Sequence, residues 1–488
     1  MSLRECKIVI RDEVNIKIEG LELSTRQRLS NMFKYQVPYA RHLPAVRLGR
    51  WDGKIAYFQL GGSTYTNLLP EILPVLDDES YDIELEDFRE YNRSFDFHLA
   101  AEDTFQEYTW PAGHPQAGEP IVMRDYQIDI INNFLENPQS LQEVATGAGK
   151  TLITAALSWH VQDYGRSIVI VPNKSLVTQT EKDYRNLGLD VGVFFGDRKE
   201  YNKRHTICTW QSLNILLKNT KNQVGTATIQ DFIEDVVCII VDEVHMAKAD
   251  ALKTLLTGVM SHIPIRWGLT GTIPKEDFES KALLVSIGPV INRLAASELQ
   301  DKGVLADCHV NIVQMIDVVE HTNYQSELKY LVENSGRLDT MASLIERVNE
   351  TGNTLVLVDR IATGHALVER LGNRAAFVSG GTKATTRQEH YDEVAEATGK
   401  IIVATYGVAA VGINIPRIFN LVLVEPGKSF VRVIQSIGRG IRKAEDKNFV
   451  QIWDITSTCR FSKRHLTKRK QFYSEANYPY TVEKLVWQ

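Results

Sequence analysis

No stretch of this sequence approaches the roughly 18 consecutive apolar residues needed to span a bilayer. The opening residues, MSLRECKIVIRDE, lack the apolar core of a secretion signal. A membrane-spanning or exported protein is therefore not expected, and the expected location is cytoplasmic. The five cysteines, Cys6, Cys208, Cys238, Cys308 and Cys459, form no C-x-x-C and no paired spacing. That excludes a disulfide framework or a zinc ribbon and leaves them as small apolar residues in a reducing compartment. The chain also lacks an excess of positive charge: its formal net charge is −6, so any attraction to nucleic acid must come from local patches. With 488 residues, 43% apolar and 24% charged, it is neither disordered nor fibrous and is long enough for two to four domains.

What is present is a glycine turn between two apolar segments. VATGAGKT, residues 144–151, is followed by TLITAALSWHV, which reads as a helix. Glycines at 147 and 149 let backbone N–H groups converge on an anion at a helix N-terminus. Lys150 can reach the β and γ phosphates, and the Thr151 hydroxyl can bind Mg²⁺. The strict pattern asks for glycine where Val144 stands, so alone the turn is either a phosphate cradle or a bend before a core helix. Downstream, VVCIIV reads as a buried strand with Asp242-Glu243-Val244-His245 at its carboxyl end, where parallel sheets hold ligands. There Asp242 would hold the metal, directly or through water, and Glu243 would orient and deprotonate the attacking water. Together the two motifs make an NTPase. Leu269-Thr270-Gly271-Thr272 places hydroxyls after another short apolar run, positioned to link the nucleotide to the far face of the domain.

Taken in order, residues 1–110 read as a small α/β unit. CKIVIRDEVNIKIEG alternates like a hairpin, STRQRLSNMFKY reads as a helix and KIAYFQL as a strand. Its charge is partitioned: residues 23–54 hold seven Lys/Arg against Asp52 alone, with Tyr35, Tyr39 and Trp51 among them, while residues 71–107 hold thirteen acids against two bases. The basic part is either a surface for gripping a backbone and stacking on bases or a solvated face over core aromatics. WPAGHPQAGEP is the clearest linker, over 111–120. Next, Arg124 and Gln127 open a helix; the Gln amide suits an adenine edge, though an ordinary helix start reads the same. Apolar strands then alternate with helices through residue 302, and a second such series fills 303–488, both indicating parallel sheets covered on two faces. The second series has no phosphate loop. Instead it carries Gln435-Ser436-Ile437-Gly438-Arg439-Gly440-Ile441-Arg442, with two arginines three apart that could face a γ-phosphate. RFSKRHLTKRK, residues 460–470, has six Lys/Arg and no acid; it is either a DNA clamp or the solvated end of a helix.

These blocks, in this order, resemble those of the superfamily-two helicases and translocases. Arg124 and Gln127 match the adenine block, Ala145 to Thr151 the phosphate loop, and Val171-Pro172-Asn173 with Thr178-Gln179 the first strand-contact block. Thr209-Trp210-Gln211-Ser212-Leu213 looks like the second, Asp242 to His245 is the DEVH form of the acidic block, Leu269 to Thr272 the coupling block, and Gln435 to Arg442 the arginine block. A valine at position 144 is common in that family. The resemblance implies two tandem RecA-like parallel-sheet lobes, at 121–302 and 303–488, preceded by the small α/β domain. ATP and Mg²⁺ would be held by Arg124, Gln127, Thr146, Gly147, Ala148, Gly149, Lys150, Thr151, Asp242, Gly412 and Asn414. Lys150, Asp242, Glu243, Arg439 and Arg442 would carry catalysis, and His245, Thr270, Thr272 and Gln435 coupling. Nucleic-acid contacts would come from Pro172, Asn173, Gln179, Thr209, Arg360, Gly380 and Thr405. The fifth block departs from the family: Gly412-Ile413-Asn414-Ile415-Pro416 has Asn where Asp is usual, removing a charge at that point. More narrowly, VRLGRWDGK (residues 46–54, with Arg50 and Trp51), TYGVAAVGI and QSIGRGIRK resemble the phage recombination and repair helicases of the UvsW type. That narrower resemblance implies a motor on branched DNA: forks, four-way junctions and R-loops. The alternatives are an RNA helicase or the motor part of a restriction system, although no nuclease constellation is visible.

Overall fold

The computed structural model describes residues 4–89, 94–111, 116–224, 227–244, 249–408, 417–429, 436–438, 440–444 and 446–487, with single residues 415 and 433. The chain divides into two compact units, Met1–Glu143 with Gly149–Arg293, and Val144–Ala148 with Leu294–Gln488. Among the described residues no helix is long and apolar enough to cross a membrane. All five cysteines are buried and unbridged.

The first unit holds a small sheet and a large one. The alternating N-terminal segment forms the expected hairpin: β1 (Arg4–Ile10) and β2 (Asn15–Glu19) run antiparallel, with Ile8 opposite Ile18 and Ile10 opposite Ile16. The Asp12 carboxylate closes its turn by accepting from the Val14 and Asn15 N–H groups at 2.9 and 2.7 Å. β3 (Lys34–Gln36) and β4 (Lys54–Ala56) pair separately around residues 37–53. β5 (Ser63–Tyr65) and β6 (Tyr81–Asp87) complete the four-stranded order β5-β2-β1-β6. The hydrophobic cluster of Ile8, Ile16, Ile18, Leu29, Phe33 and Leu76 is closed by Phe278, Ala282 and Val285 from the helix Asp277–Ser286. The Tyr57 hydroxyl donates to the Phe278 carbonyl at 3.3 Å, and Lys253 Nζ lies 4.2 Å from the Tyr57 ring centroid. The small sheet therefore shares its core with the helix that follows Leu269–Thr272. The proline- and glycine-rich stretch folds back at its described ends: Thr109 bridges Pro120, and the Trp110 N–H donates to the Glu119 carbonyl at 2.9 Å.

The large sheet comprises β7 (Gln139–Val144), β8 (Arg166–Val171), β9 (Val191–Phe195), β10 (Arg198–Lys199), β11 (His205–Thr209), β12 (Val236–Asp242), β13 (Ile265–Thr270) and β14 (Val290–Leu294). Its order is β10-β9-β11-β8-β12-β13-β7-β14. β11, β8, β12, β13 and β7 pair in parallel, and the near-complete burial of β8 and β12 explains why those two read as continuous apolar runs.

The second unit is built on β15 (Asp307–Met315), β16 (Thr354–Val358), β17 (Ala375–Val378), β18 (Ile401–Thr405), β19 (Asn420–Val424), β20 (Phe449–Ser457) and β21 (Tyr480–Leu485), in the order β17-β18-β16-β19-β20-β15-β21 with every pairing parallel. The architecture is thus α/β, two RecA-like parallel sheets with a small α/β region ahead of them.

Candidate functional site

The glycine turn leaves β7 at Val144 and enters the helix Lys150–Val161. Gly147 has φ +95° and Gly149 +85°, left-handed values that side-chain-bearing residues resist. Space is equally restrictive: a Cβ on Gly149 would lie 2.6 Å from Gln127 Nε2. Gln127 is buried at the start of the helix Asp125–Glu136, and its Oε1 accepts from the Arg124 N–H at 3.0 Å. The residue expected to read adenine thus caps its own helix and turns its amide nitrogen toward the loop. The Arg124 guanidinium donates to the Tyr126 hydroxyl at 2.9 Å.

The acidic block meets this loop from β12. Lys150 Nζ lies 2.9 Å from Glu243 Oε1, with the two side chains only 10% and 13% exposed. Glu243 holds φ +51°, a strain of about 1–2 kcal/mol for a residue with a Cβ. Its N–H donates to Asp242 Oδ1 at 2.9 Å, and its Oε2 accepts from the Gly271 N–H at 3.4 Å. The coupling block thus reaches Glu243 through the Gly271 amide, which the sequence singled out only for its neighbouring hydroxyls. Burial, with repulsion from Glu243, pushes the Asp242 carboxyl well above the usual carboxylate range, against the pull of Lys150. Thr270 Oγ1 donates to the Thr272 carbonyl at 2.9 Å. Thr272 Oγ1 is buried with no hydrogen-bond partner among the described residues. Thr151 lies half-buried in the first helical turn. The residues present fit phosphate at Lys150 and the helix N-terminus, with Thr151 and Asp242 as the groups that could hold a divalent cation and Glu243 the one that could hold a water. A cation favours the ionised form of an acid whose pKa is raised, so Mg²⁺-nucleotide binding near neutral pH is expected to release about half a proton. Calorimetry in two buffers of different ionisation enthalpy reads this directly; heat independent of the buffer would contradict it, and Asp242→Asn should abolish the release.

Within the second unit, the turn residues Val144–Ala148 group with the arginine block. A Cβ on Gly438 would lie 3.1 Å from Thr146 Cβ, and one on Gly147 would lie 2.7 Å from Leu305 Cδ2. Leu305 in turn bridges Arg442 through the backbone, and the Ala306 N–H donates to the Ile441 carbonyl at 2.8 Å. Lys447, buried, donates to the carbonyls of Gly440 and Arg442 at 2.6 and 2.7 Å; burial and the Arg442 charge push its ammonium down to about 7. Leu305 and Lys447 escaped the sequence reading because nothing local marks a contact made across 158 residues or a cap on a neighbouring turn. His245, Gly412, Asn414, Gln435 and Arg439 lie outside the described residues, and Ala148 N–H donates to the Ala145 carbonyl at 3.3 Å.

Most of the expected nucleic-acid residues sit at or just beyond the carboxyl ends of strands. Pro172 and Asn173 follow β8; Asn173 Oδ1 caps the next helix by accepting from the Leu176 N–H at 3.1 Å, and Gln179 is exposed on that helix. Thr209, ending β11, is buried, and its hydroxyl caps Ser212 at 3.3 Å. Arg360 follows β16 and pairs with Glu333 at 2.7 Å. Gly380 is exposed beyond β17, and Thr405 ends β18 half-buried. In the small sheet Arg50 is exposed, whereas Trp51 is half-buried and donates to the Lys54 carbonyl at 2.9 Å, bracing the loop.

Residues 120–275 match the family model of the type III restriction enzyme res subunit, and residues 336–444 match that of the helicase conserved C-terminal domain. The chain is similar to the ATP-dependent DNA helicase uvsW of Enterobacteria phage T4, 24% identical over 97% of this chain and 95% of the relative. It is 26% identical to a putative DNA 3'-5' helicase Rad25 of Haloarcula marismortui, over 71% of this chain and 55% of that one. Among solved structures, a fragment of a putative HsdR subunit of a type I restriction enzyme from Vibrio vulnificus aligns with TM-score 0.57 at 18% identity, over 96% of this chain and 84% of the other, a likeness of fold. The matched segments contain the glycine turn, the acidic block and the arginine block, and over these segments the chain is similar to the ATP-dependent DNA helicases and translocases.

Proposed function

We propose that the chain couples ATP hydrolysis to remodelling of branched DNA. The observation that carries the ATPase half is the Lys150–Glu243 pair at 2.9 Å beside half-buried Asp242, at the start of the helix that follows the glycine turn. These residues fit a magnesium-nucleotide: the turn and helix N-terminus supply N–H donors, Lys150 exchanges its carboxylate partner for phosphate, and Thr151 and Asp242 hold the cation. Mg²⁺, when bound, neutralises phosphate charge. Glu243, released from Lys150, orients the attacking water and takes its proton. Arg442, carried by the block that packs against Thr146, stabilises charge on the transferring group, with Arg439 beside it in sequence.

The DNA half rests on the row of backbone-contact positions at the strand ends and on the loop at residues 37–53, where Arg41, Arg47 and Arg50 are exposed with Tyr39. The phage relative, itself a DNA helicase by name, aligns over 97% of this chain, a share large enough to take in the small N-terminal region. Backbone contacts alone discriminate poorly between sugars. ATPase stimulation and product formation should therefore be compared on forks, four-way junctions, R-loops, single-stranded DNA and RNA. Forks and junctions are expected to stimulate most; equal or greater stimulation by RNA would replace this reading with an RNA helicase.

A further inference from the structure

The order β17-β18-β16-β19-β20 aligns the carboxyl ends of five parallel strands along one edge of the second sheet. The first three ends present Gly380, Thr405 and Arg360, the expected backbone contacts. The next two present Lys428, just beyond β19, and the helix Arg460–Glu475, which follows β20. That helix is held firmly on its inner side. Arg469, fully buried, donates to both carboxylate oxygens of Asp454 at 2.8 and 2.9 Å and to the Gly427 carbonyl at 2.7 Å. Its N-terminus is fixed by the Glu327 carboxylate, which accepts from the Phe461 and Ser462 N–H groups at 3.0 and 2.6 Å.

Its outer side is different. Arg460, Lys463, Arg464 and Lys468 are exposed at helical spacing, as is Lys428 beside them. Among the described residues none of the five has a carboxylate within ion-pair distance, whereas Arg337, Arg360, Arg370, Arg417 and Arg469 of the same unit are all paired. Burial, with the Arg469 and Lys428 charges adding to it, holds the His465 imidazole neutral down to about 4. From Arg460 to Lys468 the helix rises about 12 Å at ~1.5 Å per residue, the length of roughly three to four phosphates along one strand.

We propose that this face, with Lys428, is a DNA-backbone contact that continues the strand-end row across β19 and β20. The proposal rests on the reading of the chain as a DNA motor. Unpaired cations on a rigid helix suit a polyanion of regular spacing, because no acidic partner has to be displaced and little side-chain order is lost elsewhere. The test is the salt dependence of binding to a labelled fork, by fluorescence anisotropy, for the wild type and the triple variant Lys463→Gln/Arg464→Gln/Lys468→Gln. Each lost phosphate contact lowers the slope of log affinity against log salt by about 0.9. The triple variant should therefore lose two to three units of slope and bind about tenfold or more weakly near 0.1 M salt. The charge-preserving variant Lys463→Arg/Arg464→Lys/Lys468→Arg should keep the wild-type slope. Arg347→Gln/Arg374→Gln, neutralised ahead of β16 and β17 at the opposite end of the sheet, should keep it too. A wild-type slope in the triple variant overturns the assignment and makes an acidic protein the better occupant, with the motor reading intact. Loss of fork binding in the wild type itself would remove the motor reading and this proposal together.

Discussion

Glu243→Gln is expected to leave ATP binding intact and to lower turnover by about 10²–10⁴-fold, the usual contribution of a positioned general base. The substitution keeps the shape of the side chain and one oxygen able to accept from the Gly271 amide, but removes proton affinity. It also removes the charge that holds Lys150 at 2.9 Å, so phosphate loses a competitor for Lys150 and nucleotide affinity should be equal or tighter. Stopped-flow binding of a fluorescent ATP analogue and steady-state phosphate release measure the two halves separately. Turnover near the wild-type rate would remove Glu243 from its role. Lost binding together with lost turnover would make its role structural.

Arg337→Met is expected to destabilise the second unit by about 3–5 kcal/mol, the cost of breaking a buried ion pair from one side. Arg337 is fully buried between Asp317 and Glu425, and it also donates to the Leu331 carbonyl at 3.1 Å. Glu425 is already pushed up to about 7 by burial, with Arg337 the main opposing charge. Methionine fills part of the volume and leaves Asp317 with only neutral donors, among them the Trp487 indole at 3.2 Å. The readout is calorimetry of the intact chain, in which one component should move down in temperature while nucleotide protects the rest. A shift equivalent to less than about 1 kcal/mol would show that the network is not structural.

Much of the nucleotide site was legible because its signals are local. A continuous apolar strand ending in Asp242-Glu243 and two glycines ahead of Lys150 each need only a few consecutive residues, and the structure sets Lys150 against Glu243. The N-terminal hairpin was legible from its strict alternation. What was not legible is what depends on distant segments. The helix Asp277–Ser286 looks like any lobe helix, yet Phe278, Ala282 and Val285 complete the core of a sheet more than 190 residues earlier. β15 and β20 alternate buried with partly exposed positions over half their length, so they escaped a search for continuous apolar runs. β21 joins β15 out of chain order. Several polar residues singled out for contacts also serve caps: Gln127, Asn173 and Thr209 all accept from backbone N–H groups at helix starts, a use that the same residue types announce equally well.

The central claim, that ATP turnover at Glu243 drives work on DNA, is tested most directly by following a labelled fork through time. Wild-type protein should convert the fork to product with ATP, but not with a non-hydrolysable analogue, and Glu243→Gln should bind the fork without converting it. Conversion with the analogue, or ATP hydrolysis on the fork without any rearrangement of its strands, would contradict the account.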